Sequence, residues 1–262
     1  MQDQYAADVG DFGKYGLLRT LTGMFPVATP RLRLGVVWYL TGSDGSSDGG
    51  HRSYLAPANA KRFRPCDPEL HDALSRIHNL GPSVAAVEQS GVLPSDTVYC
   101  HEQVPLGAAR RSWANAAFRA VEASDLVFVD PDNGLAPKSV GPLSTRAPKF
   151  VFLGELQRGL RPDQSLMAYH HLGRNETAAE QAQRHLTTLR EAFPDHAAPW
   201  TVRFRRGTGR LDLVVPAVQH EVVLRERRYA LLAGAWGKLE HFVRPEGGTE
   251  VAQRDIDATT LW

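Results

Sequence analysis

The sequence predicts an α/β fold, in three layers around a mostly parallel sheet, with antiparallel strands near the C-terminus. Three observations predict it. Short β-branched and aromatic runs alternate with longer stretches of helical spacing through most of the chain. The β-prone runs stop abruptly in polar turns, as in 125–129 (DLVFV) before DPDNG. The composition is that of a globular chain: 262 residues, 42% hydrophobic, with 30 Lys and Arg against 29 Asp and Glu. That balance excludes a disordered tail, and two Cys are too few for a disulfide scaffold.

Each element has its own signal. Residues 15–25 (YGLLRTLTGMF) carry Leu17, Leu18, Leu21, Met24 and Phe25 at helical spacing. Residues 33–40 (RLGVVWYL) form a short apolar run that reads as a buried strand. The Gly-rich stretch 41–50 (TGSDGSSDGG) is its loop. Asp67 and Pro68 suit the N-cap and first position of a helix over 67–80, and a short helix follows over 82–90. A strand is expected at 97–101 and an Ala- and Arg-rich helix at 106–123. Residues 149–160 read as strand or helix. The remaining expectations are a strand over 165–169 ending in His170 and His171, a polar helix over 175–193, and strands at 202–205, 211–215 and 221–225. Breaks between them are short, so 1–262 reads as one domain.

The N-terminal residues lack the basic and apolar regions of a signal peptide. No apolar run approaches the ~20 residues that span a bilayer. Cys66 and Cys100 have no CxxC spacing and read as reduced thiols. Together these point to a cytoplasmic protein with no membrane partner.

In an open α/β sheet, ligands bind beyond the carboxyl ends of the strands. Three such ends matter. The DPDNG turn places Asp130, Asp132 and Asn133 at the rim of the sheet. Their oxygens can accept hydrogen bonds from an amine or hold Mg²⁺, a hard cation that takes oxygen ligands. The same residues also make a good capped turn. After the next strand, His171 and Arg174 are candidates for base and phosphate contact. His170 and His171 face opposite sides of an extended strand, so they cannot share one site. Glu155 is a further candidate acid, or an exposed helix residue. At the first strand end, Trp38, Gly42, Asp44, Asp48 and Gly49 are candidate cofactor contacts through the Gly-rich loop.

The opening segment QYAADVGDFGKYGLLR places Asp11, Lys14 and Tyr15 before an apolar helix. It can fold over a site and lend it Lys14, or it can be a helix start with Asp11 as cap. Between 203 and 228 seven Arg stand against three acids, and Arg110 and Arg111 stand beside Trp113. Such clusters suit phosphate contact with stacking, hence a nucleic-acid partner, or are ordinary solvated arginines.

The blocks GDFGKYGLLR, LGVVWYLTGSDGSSDGG, DPDNGL and YHHLGR together resemble a family of bacterial proteins of uncharacterised activity that share them. More distantly, their order is similar to the class I S-adenosylmethionine-dependent methyltransferases that modify adenine N6 in large-subunit ribosomal RNA. That resemblance implies a Rossmann-like fold with S-adenosylmethionine as cofactor. Asp11 and Lys14 match an Ala-Asp-x-x-Lys core, and Asp130 and Pro131 match the Asp-Pro-Pro-Tyr turn that receives the target amine. Asp132 and Asn133 stand where that turn has its second Pro and its aromatic. Three functions follow as expectations. The first is methyl transfer to a nucleic-acid amine, with Asp130 accepting from the amine and Lys14 on the target nucleotide. The second is a Mg²⁺-dependent nuclease or phosphohydrolase using Asp130, Asp132, Asn133, His171 and Arg174. The third is a non-catalytic nucleic-acid-binding module.

Overall fold

The computed structural model describes residues 1–42 and 50–245. The first half of the chain carries α1 (Val9–Leu21), β1 (Leu34–Val37), α2 (Ala60–Phe63), α3 (Pro68–Leu80), α4 (Val84–Gln89), β2 (Val98–Cys100), α5 (Ala109–Ala120) and β3 (Leu126–Val129). The second half carries β4 (Gly134–Leu135), β5 (Phe150–Val151), α6 (Leu153–Gly159), β6 (Ser165–His171), α7 (Ala178–Ala192), β7 (Trp200–Phe204), β8 (Arg210–Val215), α8 (Glu221–Ala233), α9 (Ala235–Lys238) and β9 (Phe242–Val243).

Among the described residues, seven strands form the main sheet in the order β2-β1-β3-β6-β8-β7-β9. The pairs from β2 to β6 are parallel, and β8 runs antiparallel to both β6 and β7. The fold is therefore Rossmann-like, with a mostly parallel sheet and antiparallel C-terminal strands. Chain order reverses between β1 and β3, because β2 lies to one side of β1 and β3 to the other. This is the switch point where a doubly wound sheet opens a crevice. Register puts Val37 beside Val129 and Val129 beside Ala168, so β1 and β3 end level at one rim while β6 runs on three residues to His171.

Strand alternation sends Val36, Phe128 and Met167 into a core with Leu17, Leu70, Leu74, Leu224 and Leu231 of α1, α3 and α8. Val37, Val127 and Leu213 face the opposite core with Phe118, Leu156 and Leu189 of α5, α6 and α7. This is the expected three-layer arrangement.

Helix α1 is buried along its whole length. It starts at Val9, six residues before the apolar spacing predicts. Glycines weaken a helix intrinsically, but burial on all sides outweighs propensity here. Gly13 and Gly16 let α1 approach closely: a Cβ would meet the Phe204 ring at one and the Trp236 ring at the other. Asp8, not Asp11, is the N-cap, accepting from the Asp11 N–H at 2.9 Å. At the far end, Arg227 donates to the Leu21 carbonyl at 2.7 Å, and Arg19 bonds Asp67, the N-cap of α3, at 2.6 Å.

Two element assignments change. Residues 221–225 open helix α8 instead of forming a strand. Its buried residues Leu224, Arg227 and Leu231 follow helical spacing, which the Val222–Val223 pair masks. Residues 149–160 divide into β5 and then α6, where the Glu155 carboxylate accepts the Phe152 N–H. Cys66 and Cys100 are free and buried. No helix among the described residues is long and apolar enough to cross a membrane.

Candidate active site

A cavity of about 330 Å³ opens beyond the carboxyl ends of β3 and β6. Its volume is at the lower end of the range for small-molecule sites. Two chain segments build its floor. The turn after β3 supplies Asp130, Pro131, Asp132 and Asn133, and α1 supplies Asp11 and Lys14. His171 and Arg174, from the end of β6, complete the set of sequence candidates on its wall.

Lys14 is the hub. Its Nζ lies 2.5 Å from Asp130 Oδ2 and 2.8 Å from Asp11 Oδ1, with all three side chains buried. Burial works against the ammonium, but the two flanking carboxylates hold its pKa above the usual lysine range. Burial raises both Asp11 and Asp130, and Lys14 only partly offsets it. Two carboxyls thus share one ammonium, and the cluster titrates as a unit. Asp11 is fixed by the Ala7 N–H at 2.9 Å and the Tyr15 hydroxyl at 3.2 Å. Ala7 holds φ at +59°, a conformation that few non-glycine residues adopt. Tyr15 is fully buried behind Asp11, off the cavity wall.

Beyond the two carboxylates, Lys14 Nζ lies 3.7 Å from Met1 Sδ and over the Tyr15 and Tyr169 rings, and its side chain lines the cavity. It orients and balances Asp130. Asp132 is also engaged. It takes the Met1 amine at 2.7 Å, Gln2 at 2.9 Å and Thr41 at 3.1 Å. Burial pushes its pKa up, but the Met1 amine and these donors bring it below the usual value.

The turn is stapled to β6. Asn133 accepts from the His171 N–H, and Leu135 donates to His170 Nδ1 at 3.2 Å. His170 faces away from the cavity, packed on His185 at 4.1 Å between ring centres. Burial drives its pKa down to about 3, so it stays a neutral acceptor. His171 lies on the cavity side, as strand alternation requires.

Several candidates sit elsewhere. Trp38 is fully buried, donates to Glu88 at 2.7 Å and stacks on Tyr99, so it does not line the cavity. Gly42 is in open space, and Asp44, Asp48 and Gly49 lie outside the described residues. Glu155 is buried against Arg110, Nε to Oε1 at 2.6 Å. Arg110 also donates to the Ala147 and Phe150 carbonyls, so this pair is a structural brace and no phosphate site. Several arginines of 203–228 are engaged within the fold: Arg227 caps α1, Arg206 bonds His241 and Leu239, and Arg205 and Arg225 pair with Glu240 and Glu221.

The wall of the same cavity also carries Tyr169 and Thr208, which the sequence does not single out, and Asp8 and Arg210, which it shows only as parts of the opening segment and of the arginine cluster. One signal was present. In RLDLVV, Arg210 and Asp212 alternate with Leu211 and Leu213, and that polar face turns inward because β8 is buried throughout. Asp212 is fully buried with neither oxygen hydrogen-bonded, and burial raises its pKa to about 7.

The donor set does not fit Mg²⁺. Asp130 Oδ2 is held by Lys14 and Asp132 by the Met1 amine, and no group of three metal-binding side chains converges among the described residues. The chain matches no protein-family model and no curated protein.

Proposed function

We propose that this chain is an S-adenosylmethionine-dependent methyltransferase-like enzyme acting on an amine of a nucleic acid in the cytoplasm. The observation that carries the reading is the convergence of Asp11, Lys14 and Asp130 at a cavity beyond the carboxyl ends of β3 and β6. The carboxyl ends of the strands are where a Rossmann-like sheet takes its ligands. When bound, S-adenosylmethionine supplies an activated methyl group.

The protein's own part is to present the amine. Asp130 accepts a hydrogen bond from the amine N–H, which orients the nitrogen lone pair. Lys14 fixes the Asp130 carboxylate and Asp11 fixes Lys14, so the acceptor is set before substrate arrives. The Pro131 turn and the His170 staple keep Asp130 at the rim. Tyr169 and Tyr5 on the cavity wall offer aromatic surface to a base. The metal-dependent nuclease reading has less support, because the acids it needs are committed to cations.

Isothermal titration with S-adenosylmethionine tests the cofactor assignment, and binding below millimolar is expected. Transfer of label from methyl-tritiated cofactor to RNA or DNA oligonucleotides tests the reaction. Asp130→Asn is expected to abolish transfer while retaining cofactor binding. Absence of binding at millimolar cofactor overturns the reading.

A further inference from the structure

We propose that Arg210 is the core of an anion subsite that holds a phosphate group of the substrate. The inference rests on the reading of a nucleic-acid substrate and names the part of it that this corner of the cavity takes.

Arg210 is 5% exposed, yet no carboxylate lies within ion-pair distance of it among the described residues. Among the described residues its enclosed Nε has no hydrogen-bond partner, its Nη2 donates to Thr208 Oγ1 at 3.0 Å, and its Nη1 makes no hydrogen bond. Each of the other well-buried arginines is spoken for: Arg19 by Asp67, Arg110 by Glu155, Arg227 by backbone carbonyls. A buried guanidinium left with open donors on a cavity wall calls for a ligand. The acids that act on it are Asp8, Asp212 and Asp11; Asp8 caps α1 and Asp11 pairs with Lys14.

The surroundings hold the fork in place. The guanidinium lies over the Tyr169 ring at 5.8 Å. Its Nη1 occupies the space that a side chain at Gly10 would fill, at the positive end of α1. His171 is the cross-strand partner of Arg210, so the two side chains leave the sheet on the same face. The bond from the Leu172 N–H to the Gly209 carbonyl keeps the two strand ends together. Arg174 follows on the same wall.

The spread of donors suits phosphate. Arg210 brings a planar fork, Thr208 a hydroxyl and Arg174 a second guanidinium on the same wall, while His171 Nδ1 is engaged with the Leu172 carbonyl at 3.2 Å. Two guanidiniums and a hydroxyl from three residues match the tetrahedral oxygens of a phosphate.

The test compares adenosine 5′-monophosphate with adenosine by isothermal titration. Wild-type protein is expected to bind the monophosphate at least about tenfold more tightly, the ratio typical of one charged hydrogen-bonded contact. Arg210→Met is expected to erase that ratio and leave adenosine binding unchanged. If Arg210→Met does not fold, Arg210→Lys keeps the charge without the fork and is expected to reduce the ratio. A direct readout is the Arg210 Nε–H resonance, assigned by its loss in Arg210→Lys, which is expected to shift on addition of inorganic phosphate. Equal affinity for the nucleotide and the nucleoside, or a resonance that phosphate does not move, overturns the subsite. Weakened S-adenosylmethionine binding in Arg210→Lys with the monophosphate ratio intact also overturns it, since the anion would then be the cofactor's carboxylate. Phosphate binding without cofactor binding leaves the subsite standing and fails the methyltransferase reading alone.

Discussion

Lys14 and Asp130 are 116 residues apart in the chain, and their Nζ and Oδ2 atoms lie 2.5 Å apart in the folded protein. The pair ties the first helix to the turn after the third strand of the main sheet. Asp11 completes it from the other side of the ammonium.

Lys14→Met leaves two buried carboxyls without their counter-charge. We expect a loss of about 3–5 kcal/mol of stability at neutral pH, the usual cost of removing one partner of a buried pair. Lys14→Met with Asp130→Asn is expected to recover part of it. Urea unfolding of the four proteins of this double-mutant cycle gives the coupling. Additive losses would show that the contact carries no energy of its own.

Asp212 makes stability depend on pH. Its carboxyl titrates near 7 when folded, chiefly through burial, against 3.8 in the unfolded chain. Between those values the native state binds more protons, so this group's contribution falls as pH rises from 4 to 7 and is flat above 7. The full swing is on the order of 4 kcal/mol. Asp212→Asn removes the titration, so its stability relative to wild type is expected to be greater at pH 8 than at pH 5. Parallel stability curves for the two proteins would contradict this.

His170 and His185 produce the opposite slope. Burial depresses them to about 3 and about 4, from 6.5. The unfolded chain takes up these protons first as pH falls, so stability drops from about pH 6.5 downward. His170→Asn keeps an acceptor for the Leu135 N–H and removes one titration. Its unfolding midpoint is expected to fall less than wild type's between pH 7 and pH 4.5, measured in urea.

Gly134 stands at φ +95°, with the His170 backbone where a Cβ would go. Gly134→Ala meets strain and a backbone clash together, and a loss of about 2 kcal/mol or more is expected. The substitution also moves the turn that carries Asp130. Thermal unfolding and cofactor titration should therefore both change, and an unaltered midpoint would contradict the packing.

Much of this molecule is legible in local sequence. The apolar runs at 33–40 and 125–129 are strands, and the helix over 67–80 starts at the Asp67 cap that its sequence announces. Alternation along the strand ending at 165–171 sets His171 apart from His170. The failures are also local in origin. Residues 221–225 look β-prone until α8 supplies a core for Leu224 and Leu231. Trp38 reads as a cofactor contact at its strand end because the strand that covers it comes about 60 residues later, with Tyr99.

The sequence by itself determined the layered α/β class and the acids that end its strands, because periodicity and turn chemistry act over a few residues. It could not say that Lys14 serves Asp130 or that Asp132 is neutralised by its neighbours. Nor could it say that Arg210 faces a cavity while Arg110 and Arg227 serve the frame. Those outcomes rest on strand order, register and the close seat of α1 on the sheet. They are decided by the balance of burial against pairing for each charge, and that balance exists only once distant segments are packed together.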